Sequence, residues 1–166
     1  ITIELSSCVI RHGLFSGKDV ERDTLVVDPD KLNRWLRDHL RGMNGWVIIE
    51  GHYVSLVSVP GIRLVVILRS RPQELFRRLR ARRWPMKKVI ENVQAEILGV
   101  CAGDARNSFL TVPVVEIDTS QESVESVACT IRKLLYEPVE TLTEKSKTRY
   151  DWLSAMSQRE LSQFFP

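Results

Sequence analysis

The sequence predicts an α/β fold in which helices flank a parallel β-sheet. Three short apolar runs, rich in β-branched residues and bounded by turn-forming or charged residues, predict buried strands at residues 45–50, 63–68 and 112–118. A weaker run predicts another strand at residues 1–5. Because these runs are almost continuously apolar and do not alternate, both faces of each strand should be covered, as in a parallel sheet. Helical patterns lie between them, which is typical of crossover connections.

Four helices are predicted from periodicity and from their end signals. Asp28-Pro29-Asp30 provides an N-cap and a proline at the first helical position for a helix at residues 31–41. The other helices are predicted at residues 70–82, at residues 86 to about 101, and from Ser120 to about Tyr136. Helical spacing predicts these core-facing side chains: Leu32, Trp35, Leu36 and Leu40 in the first helix, Leu75, Phe76 and Leu79 in the second, and Val89, Val93 and Ile97 in the third.

Length and composition are those of one soluble globular domain. The chain has 166 residues, of which 43% are hydrophobic and 27% charged. No apolar run approaches the roughly 18–20 residues that cross a bilayer, and no secretion signal opens the chain. The three cysteines, Cys8, Cys101 and Cys129, are widely spaced and odd in number, which argues against a disulfide framework or a zinc site. We therefore expect a cytoplasmic protein that does not contact a membrane.

Positive charge is concentrated in one part of the chain. The net charge is only +3, yet nine basic residues and a single acid, Glu74, lie between positions 69 and 88. The nine are Arg69, Arg71, Arg77, Arg78, Arg80, Arg82, Arg83, Lys87 and Lys88. Such a cluster suits phosphates, on a nucleotide or on RNA. The alternative is a solvated helix face, but the acids that usually alternate with the bases on such a face are missing.

Two segments carry residue types suited to nucleotide chemistry. Glu50-Gly51-His52 follows an apolar strand, where nucleotide-binding folds place a carboxylate that holds magnesium; a strand that simply reaches solvent is the alternative. Residues 82–88 form an arginine-rich turn between two predicted helices, and a mobile hairpin there would deliver arginines onto a transferred phosphate. Trp84 in this turn is structural or stacks on a base.

A Gly-Lys pair at residues 13–19 does not meet the requirements of a phosphate-binding loop. Gly13 and Gly17 are separated by three residues instead of four, and Asp19 stands where a Ser or Thr hydroxyl is needed for magnesium. No apolar strand leads directly into the segment. We therefore reject it as a phosphate-binding loop.

Several segments match, in order and spacing, the motifs of one family. Leu68-Arg69-Ser70, then Leu79-Arg80-Ala81-Arg82, then Lys-Lys-Val-Ile-Glu-Asn-Val-Gln-Ala-Glu-Ile at residues 87–97 follow the pattern Leu-Arg-Thr, Arg-Gly-Tyr and Lys-Lys-Ile-x-Glu-Asn-x-x-x-Glu-Ile. Glu50-Gly51-His52 stands where the family carries Asp-x-His. Over residues 1–135 the chain thus resembles the small adenylate kinases that act in ribosomal small-subunit assembly, namely adenylate kinase isoenzyme 6 and its archaeal relatives.

The resemblance implies a P-loop NTPase fold of the nucleoside-monophosphate-kinase type. It also implies phosphate transfer from ATP to AMP with Mg²⁺, giving two ADP, and ATPase activity as a second possibility. A small-subunit ribosomal protein or rRNA is the implied partner. The alternative is a catalytically degenerate, basic assembly factor that binds RNA or a ribosomal protein. The implied domains are a kinase-like part at residues 1–137, with a helical lid at about 70–101, and a helical extension at 138–166 that either docks or binds a partner.

Matching motifs assign roles to individual residues. The resemblance makes Glu50 the metal-region carboxylate, His52 its signalling neighbour, and Arg82 the lid arginine that faces ATP. Four residues fall on the substrate side: Asp19, Glu21, Asp23 and Arg69. Two lysines, Lys87 and Lys88, add positive charge near ATP. This chain departs from the family in three ways. Glu50 replaces aspartate, and Arg83 replaces the glycine of the lid turn. The family's Gly-x-x-x-x-Gly-Lys-Thr loop and the central strand before it belong upstream of Ile1. We therefore expect the sequence to be incomplete.

Overall fold

The computed structural model describes residues 1–20 and 24–165, which divide into two compact units, Ile1–Ile62 and Arg63–Pro166. Six strands and nine α-helices occur in the described ranges. The strands form three two-stranded sheets, two of them parallel and one antiparallel. The predicted α/β class with parallel pairing is therefore confirmed. Within the part of the chain that the structure describes, no helix is both long and apolar enough to cross a membrane.

In the first unit, a parallel strand pair and an antiparallel hairpin accompany two helices. Its elements are β1 Thr2–Glu4, α1 Leu5–His12, β2 Phe15–Asp19, β3 Thr24–Val27, α2 Pro29–Leu40 and β4 Ile48–Glu50, followed by a 3₁₀ turn at Val54–Leu56. β1 pairs in parallel with β4, and the register places Thr2 opposite Ile48 and Glu4 opposite Glu50. The strands predicted at residues 1–5 and 45–50 are confirmed with shorter bounds.

Helix α2 begins where its sequence predicts. The Oδ1 atom of Asp28 accepts hydrogen bonds from the backbone N–H groups of Asp30 (3.1 Å) and Lys31 (3.0 Å), which satisfies donors that the helix cannot. Leu32 and Leu36 are fully buried in a core with Leu5 and Val9 of α1. Local capping and helical periodicity agree at this helix, and the prediction is confirmed.

Three elements of the first unit, α1, β2 and β3, were not predicted. Helix α1 has only eight residues, and its two buried positions, Leu5 and Val9, are too few for a clear periodic pattern. The β2–β3 hairpin is built from an exposed, polar strand that contains Gly17 and Lys18. This placement agrees with the rejection of that Gly-Lys pair as a phosphate-binding loop, because a loop of that kind joins a strand to a helix.

The second unit contains a parallel strand pair, with three helices in the connection between its strands and four helices after the second strand. Its elements are β5 Val65–Arg69, α3 Pro72–Ala81, α4 Met86–Ile97, α5 Val100–Ser108, β6 Val114–Asp118, α6 Val124–Leu134, α7 Val139–Lys145, α8 Trp152–Ala155 and α9 Gln158–Leu161. β5 and β6 run in parallel with Arg69 opposite Asp118. The third predicted helix was too long, because Gly99 adopts a left-handed conformation (φ +65°) that ends α4 and begins α5.

Helices α3 and α4 form a hairpin with its own apolar core. Leu79, Val89, Val93 and Ile97 are buried between the two helices together with Phe164 from the C-terminal segment. The predicted inward faces of both helices are confirmed. The division at residues 137 and 138, and the lid at about 70–101, stay predictions.

Candidate functional site

In the first unit, two carboxylates stand at the carboxyl ends of neighbouring parallel strands. Glu4 lies opposite Glu50 in the β1–β4 register. The Glu4 carboxylate caps α1, since its oxygens accept hydrogen bonds from the backbone N–H groups of Ser6 (2.9 Å) and Ser7 (2.8 Å). Hydrogen bonding by Ser7 and Ser6 lowers the pKa of Glu4 to about 2. Glu50 is exposed, and its carboxylate makes no hydrogen bond or ion pair with the described residues, so its carboxylate oxygens face solvent.

The Glu50-Gly51-His52 turn depends on its glycine. Gly51 has φ +143°, a conformation that side chains rarely adopt, and a Cβ atom placed on it would lie 3.1 Å from Cβ of Leu5. The close approach brings the strand-end turn against the start of α1. His52 follows directly and is exposed. The chemistry of this turn, one free carboxylate followed by an imidazole, fits an oxygen donor for Mg²⁺ beside a group that can hold water.

The remaining site residue of the first unit that the structure describes is Asp19. It ends β2 and is half-buried, in a different sheet from Glu50. Two further predicted residues, Glu21 and Asp23, lie outside the described residues. Among residues 1–20 and 24–165, no group of three or more His, Cys, Asp or Glu side chains could together hold a metal ion.

In the second unit, the turn between α3 and α4 gathers four cations. Arg82 caps the end of α3, Arg83 follows it with φ 58°, and Pro85 leads into α4, whose first turn holds Lys87 and Lys88. All four cationic side chains are exposed. The first turn of α4 has no acidic residue and no side-chain cap, so the positive end of the helix dipole adds to these charges. We call residues 82–88 the hairpin tip, and its chemistry suits phosphate.

Trp84 at the hairpin tip is engaged by a neighbour. The Nζ atom of Lys88 lies 4.4 Å from the centroid of the Trp84 ring. The indole is also half-buried against the core of the α3–α4 hairpin. This geometry favours the structural role over stacking on a base.

Two of the nine clustered basic residues, Arg69 and Arg78, direct their side chains to hydrogen-bond acceptors within the unit. Arg69 is only 2% exposed, and Arg78 donates hydrogen bonds from Nη2 to the backbone oxygens of Thr119 (2.7 Å) and Ser120 (3.1 Å). Glu74 pairs with both Arg77 and Arg78. Seven basic residues of the cluster remain exposed: Arg71, Arg77, Arg80, Arg82, Arg83, Lys87 and Lys88.

Arg69 is surrounded by protein acceptors. Its Nε donates to Oε1 of Glu96 (2.8 Å), its Nη2 to the Glu96 backbone oxygen (3.1 Å), and its Nη1 to Oε2 of Glu116 and to the Tyr150 backbone oxygen (3.1 Å). These bonds use most of the donors of the guanidinium. The predicted contact of Arg69 with substrate stays a prediction, and the observed contacts are structural.

Comparison with known proteins identifies the family of this chain. A family model described as an AAA domain matches residues 3–99. A protein named "Putative adenylate kinase" from Saccharolobus solfataricus is 36% identical over 152 residues, which cover 89% of this chain and 77% of that protein. The chain belongs to this adenylate kinase family.

Further relatives extend the same match. A protein from Methanocaldococcus jannaschii, also named "Putative adenylate kinase", is 32% identical over 125 residues, which cover 75% of this chain and 66% of that protein. The adenylate kinase isoenzyme 6 homolog of Schizosaccharomyces pombe is 32% identical over 130 residues, covering 78% and 72%. The predicted resemblance and the P-loop kinase fold class are confirmed.

Sequence reasoning missed two acids that shape this adenylate kinase relative. Glu96 and Glu116 surround Arg69, and Glu116 is also held by Arg106, whose Nη2 donates to Oε1 at 2.7 Å. The available signal was Glu116 itself, an acid inside the apolar run at residues 112–118, because a buried carboxylate requires a partner. Nothing in the sequence indicated which distant arginines would supply it.

Proposed function

We propose that this protein is an adenylate-kinase-like phosphotransferase that transfers phosphate from ATP to AMP and yields two ADP. The observation that carries the proposal is the hairpin tip, where four exposed cations stand on one turn of a chain that belongs to the adenylate kinase family. Phosphoryl transfer depends mainly on positioning and on neutralising the phosphate oxygens, and a turn of this charge supplies both.

Residues of the hairpin tip have distinct roles in the proposal. Arg82, at the end of α3, contacts the phosphates of ATP, because its guanidinium can donate two hydrogen bonds to one phosphate. Lys87 and Lys88 add charge from the first turn of α4. Since the first turn of α4 has no acidic residue to neutralise it, its positive electrostatic potential attracts an external anion.

The strand-end turn of the first unit suits the metal of a nucleotide complex. Mg²⁺ is usually held by one or two carboxylates together with substrate phosphates and water, and Glu50 offers one exposed carboxylate at a strand end. When bound, the ion neutralises charge on the phosphates. In the proposal Glu50 holds Mg²⁺, directly or through water, and His52 positions a water or a loop.

The substrate side of the proposal includes four residues. Asp19, with Glu21 and Asp23, belongs to the segment proposed to face AMP. Arg69 contributes from the carboxyl end of β5, where parallel α/β sheets bind ligands. Because its guanidinium is buried, we assign it the support of that strand end.

Formation of ADP from ATP and AMP in the presence of Mg²⁺ tests the proposal in the full-length protein. Arg82→Ala should lower kcat on the order of 100-fold, because it removes a donor to the transferred phosphate. Arg77→Ala is the matched control, since Arg77 is exposed on the same hairpin but is paired with Glu74. A wild-type protein that forms no ADP and binds no ATP would contradict the proposal. Phosphate release without AMP measures the second proposed activity, ATP hydrolysis.

A second candidate function is that of a basic assembly factor for the small ribosomal subunit, which binds rRNA or a ribosomal protein in the cytoplasm with little catalysis. The seven exposed cations of the cluster favour it. RNA affinity would then fall steeply with salt, because each phosphate contact releases counterions. Titration of a structured RNA at increasing salt should show this slope, and undetectable or salt-independent binding would count against the RNA version.

A further inference from the structure

The C-terminal segment is fixed to its own unit through a polar anchor. The backbone N–H of Tyr150 donates to Oε2 of Glu116 (3.2 Å), and the Tyr150 backbone oxygen accepts from Nη1 of Arg69 (3.1 Å). The indole N–H of Trp152 donates to Oε1 of Glu96 at 2.8 Å. The partners are buried or half-buried charged groups, so these bonds are shielded from water.

One carboxylate oxygen joins this anchor to the end of β5. Oε1 of Glu96 accepts not only from Trp152 but also from Nε of Arg69 (2.8 Å) and from the backbone N–H of Ser70 (3.1 Å). Glu96 stands in the last turn of α4. The base of the α3–α4 hairpin, the end of β5 and the C-terminal segment therefore share a single acceptor.

A second, apolar anchor lies farther along the segment. Phe164 is 3% exposed and inserts between α3 and α4 against Leu79, Val89 and Val93. Its backbone oxygen accepts from Nε2 of Gln94 (2.6 Å), and Nε2 of Gln73 donates to Glu160 (3.1 Å). A capping box between Ser157 and Glu160 fixes the turn that leads to this anchor. The segment thus contacts both helices of the hairpin.

Residues 150–165, which we call the strap, complete the inner face of the α3–α4 hairpin. Among the described residues, the buried core of the hairpin comes from α3, α4, the turn between them and the strap. The hairpin tip carries charge in an unfavourable position, because Lys87 and Lys88 lie in the first turn of α4, beside the positive end of the helix dipole. The strap packs against both helices that carry this charge.

We infer that the strap positions the hairpin tip for a polyphosphate ligand, with Phe164 as the main positioning residue. The inference rests on the proposed function in that the tip is taken as the phosphate-binding element. A preorganised tip binds more tightly because less conformational freedom is lost on binding. Loss of the Phe164 ring should loosen the tip and leave the cations themselves unchanged.

Hydrogen exchange in the full-length protein without nucleotide tests the first step. Phe164→Ala should accelerate amide exchange in α3 and α4 on the order of 100-fold, with β5 and β6 unaffected. Phe165→Ala is the matched control, because Phe165 is the next residue and is 37% exposed. Phe164→Leu should restore most of the protection. Unchanged exchange, or a uniform increase throughout Arg63–Pro166, would overturn the inference.

Binding of tripolyphosphate, measured by calorimetry, tests the second step. Phe164→Ala should weaken it on the order of tenfold, Phe164→Leu should recover most of the affinity, and Phe165→Ala should not change it. Equal affinity in wild type and Phe164→Ala, or no binding by the wild type, overturns the inference. A wild type that binds tripolyphosphate with the expected dependence on Phe164 but forms no ADP supports the inference and contradicts only the proposed phosphate transfer.

Discussion

Arg69 donates a hydrogen bond through Nη1 to the carboxylate of Glu116 within the β5–β6 pair, and both side chains are only 2% exposed. Glu116 also accepts from Arg106 and from the backbone N–H of Tyr150. Burial opposes ionisation of this carboxyl, but the hydrogen bonds from Arg106, Tyr150 and Arg69 outweigh burial, so the pKa of Glu116 lies below its usual range. The interior of the second unit is therefore organised around a charged acid.

Removal of Glu116 should be strongly destabilising. Glu116→Ala leaves two guanidinium groups without their shared acceptor, and breaking a buried pair in this way costs about 3–5 kcal/mol. Urea unfolding measures the change in free energy. Glu144→Ala is the control, because its ion pair with Lys147 is exposed, at 69% and 67%, and pairs of this kind contribute about 0.2–1 kcal/mol. Equal losses in the two variants would show that burial does not strengthen the network.

Titration of Glu4 should occur well below that of an ordinary glutamate. Its pKa is lowered from 4.5 to about 2 by hydrogen bonds from Ser7 and Ser6. Because the folded pKa is depressed, the stabilisation from this cap is present above pH 4.5 and is lost as the pH falls towards 2. Carbon-13 NMR of the Glu4 carboxyl checks the midpoint. A titration midpoint near pH 4.5 would mean that the Glu4 carboxylate does not cap α1. Glu4→Gln should remove this contribution to the pH dependence of stability.

Substitution of Gly51 should disturb the strand-end turn. Gly51→Ala forces a side chain into φ +143° and within 3.1 Å of Leu5 Cβ, for which we expect a loss of about 1–3 kcal/mol. Thermal unfolding measures it. Gly17→Ala is the matched control, since no atom lies within 4 Å of its added Cβ and its φ is ordinary; its effect should stay within about 0.5 kcal/mol. Similar losses at both glycines would argue against a special role for Gly51.

Arg83→Gly should stabilise the protein. Arg83 is the one described non-glycine residue with positive φ (58°), a conformation that destabilises the folded state by about 1–2 kcal/mol. Glycine relieves this strain, but its greater freedom in the unfolded chain cancels roughly 0.5–1 kcal/mol of the gain. We expect a net gain of about 0.5–1 kcal/mol in urea unfolding. Arg82→Gly removes the same charge at φ −77° and should destabilise. A loss in both variants would indicate that the charge, and not the backbone, determines the outcome.

Much of the fold was predictable because its signals are local. Helix α2 follows from Asp28, Pro29 and the spacing of Leu32 and Leu36, which act within a few residues of one another. β5 and β6 follow from apolar runs. The hairpin β2–β3 was missed because its first strand is polar and exposed, so its stability depends on pairing with residues that the pattern does not mark.

The candidate site was only partly predictable. Strand-end position predicted an exposed carboxylate at Glu50, and the density of basic residues predicted the cationic hairpin tip. The density of charge could not separate Arg69, which is buried, from Arg82, which is exposed. Whether a charged residue is buried depends on whether acceptors from elsewhere in the chain reach it.

By itself, the sequence determined four of the six described strands, the inward faces of α2, α3 and α4, and the family, because periodicity, capping and motif order are properties of neighbouring residues. The tertiary structure alone decided that Arg69 meets Glu96, Glu116 and Tyr150, which are 27, 47 and 81 positions away, and that Phe164 closes the α3–α4 hairpin. Such contacts depend on the tertiary fold, since a guanidinium or an aromatic ring is compatible with either solvent or the interior, and distant residues decide which of the two it meets.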